Sequence, residues 1–278
     1  MLGNFLNKRD TSSEGEMSFL QHLEELRWHL VRATIVILSL AVFFFIQKEF
    51  IFDKVILAPK YADFWTYKAL CKLSEFLNLG DMLCIKELPF NLINTDISGQ
   101  FTMHMWISFV AGLVVGIPYL LWEIWRFVKP ALRDKERNGA KGFVFYTSLL
   151  FLLGILFGYY VIVPLSINFL GSYQVSAEVL NMISIDSFIS TVTNITLASG
   201  IVFELPIVIY LLTQMGIMSA AFMRKFRKHA VVVILIVAAI ITPSPDITSQ
   251  ILVAMPLYIL YELSIFVARY VENKKLKS

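Results

Sequence analysis

The sequence predicts an all-α integral membrane protein: a cupped bundle of six transmembrane helices with both termini in the cytoplasm. Composition is the first reason, because 57% of the 278 residues are hydrophobic and 16% are charged, with a mean hydropathy of +0.69. Soluble domains typically carry about a quarter charged residues, so lipid is the expected solvent. The other two reasons are six long apolar segments and the alternation of basic and non-basic spacers between them.

The apolar segments are candidate spans, each of which needs about 20 residues of α-helix. They cover about residues 30–46, 101–122, 143–164, 188–212, 230–242 and 247–268. The fifth is short, since it spans roughly 20 Å of a hydrocarbon core roughly 30 Å thick. We therefore expect it to lie beside protein or to thin the bilayer locally. Four prolines predict kinks, and hence a cupped bundle: Pro118, Pro164, Pro206 and Pro256.

The basic residues orient the bundle. They concentrate in the N-terminal segment, in the spacers after the second and fourth helices and in the tail, whereas residues 165–187 and 243–247 contain no Lys or Arg. Basic loops stay in the cytoplasm, which places both termini there. The spacer of about residues 47–99 mixes lysines with acidic residues, but long spacers follow the rule less strictly, and we expect it outside. Three parts result, a cytoplasmic N-terminal segment, a transmembrane domain and a cytoplasmic tail: residues 1–29, 30–268 and 269–278.

Two segments outside the spans have helical patterns. Before the first span, Leu20, Leu23 and Leu26 recur at helical spacing and predict an amphipathic helix along the cytoplasmic interface. The charged residues around them argue against a cleavable signal peptide. In the outer spacer, residues 64–79 predict a helix along the membrane surface.

Several classes of function are excluded. The sequence contains no HExxH, GxSxG or GxxxxGK[ST] pattern, so we expect neither an enzyme nor a nucleotide site. No long basic run indicates nucleic-acid binding. Metal ligands are scarce, with four His, and no metal site is expected. Cys71 and Cys84 lie in the same outer spacer, where a disulfide and two free thiols are equally consistent with the sequence.

Glu204 lies well inside the fourth apolar segment. An acid at mid-membrane is costly, so it usually faces a cavity, a partner or water. We favour a polar site that contacts a partner or admits water. The alternative is a carboxyl group bonded to the carbonyls that Pro206 frees. A secondary transporter of a small solute, with Glu204 as its proton or cation site, is a second functional hypothesis, although no twofold repeat is visible.

Three polar segments flank the spans. On its residues alone, the charged face of residues 22–27 is more typical of a solvated helix face with ordinary ion pairs than of a functional surface. The first inner loop, residues 127–137, is basic enough to set topology, which leaves Glu136 unexplained. The outer hairpin, residues 242–250, ends on two polar side chains that can bond a neighbouring helix: Thr242 and Gln250.

Together these segments resemble the TatC family, the polytopic subunit of the twin-arginine protein translocase. The resemblance covers about residues 17–270, with six motifs in the family's order. They are HLEELR, AP, EIWRFVKPALRDKER, FELP, TPSPDITSQ and AMPLYILYE, at residues 22–27, 58–59, 123–137, 203–206, 242–250 and 254–262. Each motif alone is weak, but six in the right order are specific.

The resemblance implies a binding site for the paired arginines of a folded cargo's signal peptide, on the cytoplasmic face. Glu25 and Glu136 match the carboxylates that receive those arginines. Phe127 would support the same surface, and Leu26 and Arg27 belong to the same motif. The chemistry is consistent, because Arg presents a planar fork that pairs bidentately with carboxylate, a geometry that Lys cannot reproduce.

The resemblance also implies partners and a location. Glu204 matches the family's acid in helix four, facing the cup, while Thr242 and Gln250 match positions where a single-span subunit of TatA or TatB type docks. The implied protein is a multi-pass component of a multimeric complex in the bacterial inner membrane, driven by the proton motive force without cofactor or enzymatic activity. Ser244, between the hairpin prolines, departs from the family's pattern, as does the length of the outer spacer.

Overall fold

The computed structural model describes residues 19–76, 80, 84–85, 88–128, 142–176, 181–242 and 247–276. In chain order, the α-helices are α1 (Phe19–Ile46), α2 (Trp65–Phe76), α3 (Gly99–Val128), α4 (Phe143–Phe157), α5 (Val163–Ser172), α6 (Ile185–Val202), α7 (Leu205–Gln214), α8 (Ala220–Lys225), α9 (Arg227–Ile241) and α10 (Ile247–Leu276). Two strands are β1 (Asn91–Ile93) and β2 (Met182–Ser184). Two π-helical segments and a 3₁₀ turn complete the elements: Phe50–Ile56, Gly158–Ile162 and Ala58–Lys60.

Within these ranges, five helical stretches are long and apolar enough to cross a membrane: Leu23–Ile46, Gly99–Phe127, Phe143–Ser172, Ile185–Gln214 and Gln250–Lys274. They correspond to five of the six predicted spans, and the helical membrane class is confirmed. The sixth prediction, about residues 230–242, coincides with α9. That helix has 15 residues and reaches roughly 22 Å, which is less than a hydrocarbon core of roughly 30 Å.

The first helix is longer than its apolar segment. The sequence predicts a separate amphipathic helix before the span, whereas α1 runs from Phe19 to Ile46 without a break. No Gly or Pro interrupts these residues, so nothing in the backbone ends the helix where the hydrophobicity begins. The charged turns that carry Glu24 and Glu25 therefore belong to the same helix as the span.

Helices α1 and α3 pack closely and antiparallel. Two glycines of α3 make this possible. A Cβ at Gly112 would lie 2.6 Å from the backbone nitrogen of Ala41, and one at Gly116 would lie 2.8 Å from Cγ1 of Ile37. Small residues four apart let two membrane helices approach to backbone contact. The start of α1 and the end of α3 therefore meet at one end of the molecule, which we call the N-terminal end of the bundle.

Glycines also allow α4 and α6 to pack closely. A Cβ at Gly154 would lie 2.7 Å from the carbonyl oxygen of Ser199, and one at Gly158 would lie 2.8 Å from the Ser199 side chain. The π-helical segment that begins at Gly158 leads directly into α5, so this span continues to Ser172, beyond the predicted end at residue 164. Most of the main hydrophobic core consists of buried residues of this π segment, α5, α6, α9 and α10.

The fourth span is broken where the sequence predicts one helix. Helix α6 ends at Val202, Phe203 and Glu204 form a turn, and α7 begins at Leu205. Pro206 explains the break, because it has no N–H to donate and its ring crowds the preceding turn. The break places the Glu204 side chain at a bend inside the span.

Helix α10 contacts several elements of the C-terminal half. It packs against α7 and α9 and continues through Pro256 to Leu276, beyond the predicted end at residue 268. The Tyr261 hydroxyl donates to the carbonyl of Met223 at 2.8 Å, and Arg227 donates to Glu262 at 2.7 Å.

The described residues of the outer spacer, which we call the outer cap, include one strand of a small sheet that an all-α prediction omits. Strands β1 and β2 pair in parallel, with Leu92 opposite Ile183. Helix α2 lies within the predicted residues 64–79 and packs on the π segment of the third span. The Tyr67 hydroxyl donates to the carbonyls of Pro59 at 2.9 Å and Pro164 at 3.1 Å, and burial raises the pKa of Tyr67.

Candidate functional site

A cleft of about 450 Å³ opens at the N-terminal end of the bundle. It lies where the first turns of α1 meet the last turns of α3. Its lining is charged and aromatic and consists of Glu24, Glu25, Trp28, His29, Arg32 and Arg126. Positions 25, 29 and 32 follow the helical repeat, so their side chains project from one face of α1 toward α3.

Beneath this lining lies a carboxylate that the sequence analysis did not single out. Glu123 is the acidic residue of α3, and its side chain is 1% exposed. His29 Nδ1 is hydrogen-bonded to its Oε2, and the Tyr119 hydroxyl donates to its Oε1 at 2.8 Å. The Arg32 Nε lies 3.6 Å from the same Oε1. A buried carboxylate requires partners of this kind, because leaving it unpaired costs several kcal/mol.

The rings of Trp28 and His29 line the cleft, and other aromatic rings lie beside them. The Phe127 ring meets the His29 ring edge-on, with centroids 6.2 Å apart. The Arg126 guanidinium lies 4.8 Å from the centre of the Trp122 ring, and Arg27 lies 5.5 Å from that of Trp28. The site therefore already holds guanidinium groups against aromatic faces, an arrangement that stabilises them by about 0.5–1 kcal/mol at exposed positions.

The residues predicted from the HLEELR motif have different positions. Glu25 lines the cleft, is exposed and pairs with no cation among the described residues. Arg27 pairs with Glu24 on its own helix at 3.3 Å, and both side chains are exposed. Leu26 is exposed and lies outside the lining.

Glu136, the second predicted carboxylate, lies in residues 129–141, outside the described part of the chain. The chain that leads to it leaves α3 at Val128, next to the cleft. Glu136 follows Val128 by eight residues, which allows a reach of up to about 28 Å. Chain length therefore permits Glu136 to meet Glu25, and their meeting stays a prediction.

The intramembrane acid has an unusual environment. Both Glu204 carboxyl oxygens are buried, and neither has a hydrogen-bond partner among the described residues. The predicted alternative, a bond to a carbonyl freed by Pro206, is not seen in that part of the chain. Glu204 remains the candidate for a polar site within the bundle.

The two predicted docking residues make hydrogen bonds within the protein. Thr242 is 3% exposed, and its hydroxyl donates to the Ala238 carbonyl at 2.9 Å. Gln250 donates from α10 to the Leu235 carbonyl of α9 at 3.0 Å. Their role in binding a partner stays a prediction.

The remaining candidates concern metals and cysteines. No group of three His, Cys, Asp or Glu that could hold a metal ion occurs within the described ranges. In the outer cap, Cys71 and Cys84 are joined by a disulfide with their Cα atoms 4.3 Å apart.

The fold and the cleft define the class of protein: a polytopic α-helical membrane protein with a charged, aromatic-walled cleft at one end of the bundle. The chain belongs to the TatC family, because the family model described as Sec-independent protein translocase protein (TatC) matches residues 21–256. This confirms the resemblance seen in the motifs. It also makes the chain a membrane component of protein translocation, in a family without enzymatic activity.

Individual relatives agree over nearly the whole chain. It is 36% identical to the Sec-independent protein translocase protein TatC of Blattabacterium sp. subsp. Periplaneta americana (strain BPLAN), over 95% of this chain and 99% of that one. It is 31% identical to TatCy of Bacillus subtilis (strain 168), over 95% and 93% of the two chains. Two crystal structures of the twin arginine translocase receptor TatC, one of them in DDM, are each 30% identical. They give TM-scores of 0.66 and 0.67, over 90% and 89% of this chain and 99% of each of theirs.

Proposed function

We propose that this chain is the receptor subunit of a twin-arginine translocase. It binds the paired arginines of a folded cargo's signal peptide in the cleft at the N-terminal end of the bundle, which faces the cytoplasm of a bacterial cell. The observation that carries the proposal is the position of Glu25, which lines this cleft and pairs with no cation among the described residues.

The chemistry of the cleft favours guanidinium as the ligand. A carboxylate accepts two parallel hydrogen bonds from one guanidinium plane, and an aromatic face stabilises its flat surface. Glu25 supplies the first feature, and Trp28 with His29 supplies aromatic rings in the same lining. The volume of about 450 Å³ lies within the usual range for small-ligand sites. Glu136 is proposed as the second carboxylate, contributed by the loop that follows α3.

Binding of a fluorescent peptide with two consecutive arginines to the full chain in lipid nanodiscs tests the proposal. Glu25→Gln keeps the shape of the side chain but removes its charge. Charge-assisted hydrogen bonds contribute about 1.5–3 kcal/mol, so we expect affinity to fall roughly 10- to 100-fold. The same peptide with two lysines should bind the unmodified protein weakly.

Glu24→Gln is the matched control, because Glu24 is the neighbouring carboxylate of the same lining but pairs with Arg27. It removes the same charge from the same turn, so its smaller effect isolates the contribution of position 25. Equal losses in the two variants, or equal binding of the arginine and lysine peptides, would count against a specific arginine site.

Assembly with single-span subunits of TatA or TatB type, for export driven by the proton motive force, is the second part of the proposal. Glu204, Thr242 and Gln250 are the proposed contact positions. The buried, unpartnered carboxyl oxygens of Glu204 support it, because a polar group of a partner helix would satisfy them. Cysteine crosslinking from position 204 to a single-span subunit should give a product. Solute flux through the purified chain alone, abolished by Glu204→Gln, would favour the small-solute transporter instead.

A further inference from the structure

Glu123 is buried at the base of the cleft, and Arg32 is the cation beside it. Arg32 can leave without removing either hydrogen bond to the carboxylate. The two carboxylate oxygens of Glu123 are hydrogen-bonded separately, Oε2 to His29 and Oε1 to Tyr119. Both bonds come from residues that are not themselves cations of the lysine or arginine type. The carboxylate therefore keeps a partner on each oxygen whether or not Arg32 is present.

Arg32 is held beside Glu123 mainly by charge. Its Nε lies 3.6 Å from Oε1, which is within ion-pair range but too long for a hydrogen bond. Its Nη2 lies 3.3 Å from His29 Nδ1. That nitrogen must carry a proton to bond the Glu123 carboxylate, so it cannot also accept one from Arg32. The Arg32 side chain is 44% exposed, and an ion pair open to solvent contributes little stability.

Arg32 occupies the position that we expect for an arginine side chain of the bound cargo. Its guanidinium lines the same cleft as Glu25 and lies against the buried Glu123 carboxylate, which is beneath the lining. An incoming arginine would meet repulsion from this resident cation unless Arg32 moved aside. Its long, half-exposed side chain can move without disturbing the bonds of His29 and Tyr119.

We propose that Glu123 is a further arginine-binding carboxylate of the cleft and that Arg32 is its resident guanidinium, which a cargo arginine displaces. The proposal rests on the function proposed above and adds regulation to the same site. While Arg32 occupies the Glu123 carboxylate, a cargo arginine cannot bind there. The apparent affinity for cargo is therefore the intrinsic affinity multiplied by the fraction of time that Glu123 is free of Arg32. This occupation therefore also sets a threshold against peptides with a single arginine or with lysines, which displace Arg32 less well.

The test is a double-mutant cycle on the full chain in nanodiscs, with the same two-arginine peptide. Arg32→Gln should tighten binding roughly threefold to tenfold, as expected if the Glu123 carboxylate is free of Arg32 for between a third and a tenth of the time. The gain should disappear when Glu123→Gln is added, because the vacated carboxylate no longer attracts a guanidinium. Weaker or unchanged binding by Arg32→Gln, or a gain that persists with Glu123→Gln, would overturn the proposal.

Arg126→Gln is the matched control for general electrostatics. Arg126 lines the same cleft, but its guanidinium lies over the Trp122 ring. Removing it changes the overall charge by the same amount. Any gain that it produces should therefore persist in the Glu123→Gln background. Identical behaviour of the Arg32 and Arg126 variants would show that only net charge matters and would overturn the proposal.

A chemical measurement avoids any dependence on the folding of Glu123→Gln. The two native cysteines are joined in a disulfide, so Arg32→Cys introduces a single free thiol. A positively charged methanethiosulfonate reagent should weaken peptide binding by restoring a cation, whereas a neutral reagent of similar size should not. Equal effects of the two reagents would contradict the displacement. If Glu25→Gln abolishes binding while every Arg32 variant binds like the unmodified protein, the receptor function stands and only this inference fails. If Glu25→Gln has no effect, the receptor function itself fails.

Discussion

Gly112 is the position where one methyl group should separate α1 from α3. A Cβ at this residue would lie 2.6 Å from the backbone nitrogen of Ala41 and 2.9 Å from the carbonyl oxygen of Ile37. Ordinary contact begins at 3.4 Å, so α1 would have to retreat by about 0.8 Å. Both obstacles belong to the backbone, and no change of rotamer can relieve them.

The expected cost of Gly112→Ala follows from two opposing effects. Overpacking of a tight contact costs about 1–3 kcal/mol, and Ala is better than Gly within a helix by up to about 1 kcal/mol. We therefore expect a net loss of about 1–2 kcal/mol in the free energy of unfolding. Gly116→Ala is the matched control, because the atom nearest to its Cβ would be a side-chain atom, Cγ1 of Ile37 at 2.8 Å, rather than a backbone atom. That variant should cost less than Gly112→Ala.

Denaturant unfolding of the purified chain in detergent, followed by intrinsic fluorescence, measures the difference between the two variants. Binding of the two-arginine peptide gives a second readout, since α1 and α3 also form the cleft. We expect Gly112→Ala to lower both the unfolding midpoint and the affinity. Equal midpoints for the two alanine variants would contradict the view that backbone contact at Gly112 sets the distance between these helices.

Two further predictions concern the outer cap. Tyr67→Phe removes a buried hydroxyl that donates to two carbonyls, and should cost about 1–3 kcal/mol in denaturant unfolding. Because burial raises the pKa of Tyr67 above its usual 10.0, its contribution should be complete below pH 10 and fall at higher pH. An equal decline of the Phe variant above pH 10 would contradict this assignment. Replacing Cys71 and Cys84 by serine should lower stability by about 3 kcal/mol, as expected for a loop of this length. A reductant should then shift the midpoint of the unmodified protein but not of the variant, and an unshifted midpoint would argue against a stabilising bridge.

The predicted spans and the helices agree well because hydropathy is a local property. Each long apolar segment forms a helical stretch long enough to cross a membrane, and the short fifth segment is a short helix. Disagreement occurs at the ends and at one break. Helix α1 begins earlier than its apolar segment because helix formation depends on backbone bonds as well as on hydrophobicity. The break before Pro206 could not have been placed from the proline alone, because α3 and α10 continue as helices through Pro118 and Pro256.

The candidate site was predicted less completely. Glu25 and Phe127 were identified through motif resemblance and lie at or beside the cleft. Glu123 was not singled out, although an acid four residues after Tyr119, at the end of an apolar helix, is the pattern of a bonded pair. Its main partners come from α1, 94 residues away for His29. The pairing of β1 with β2 was missed for a related reason, since strands of three residues are too short to show an alternating pattern.

The amino-acid sequence by itself determined the solvent, the spans and the family. Hydrophobicity, charge distribution and motif order can be read from the sequence, and their interpretation does not require knowledge of packing. Only the tertiary structure decided which charges are neighbours. Glu123, His29 and Arg32 meet because glycines of α3 bring two helices into contact. The energy of a buried charge depends on the groups around it, and those groups come from distant parts of the chain.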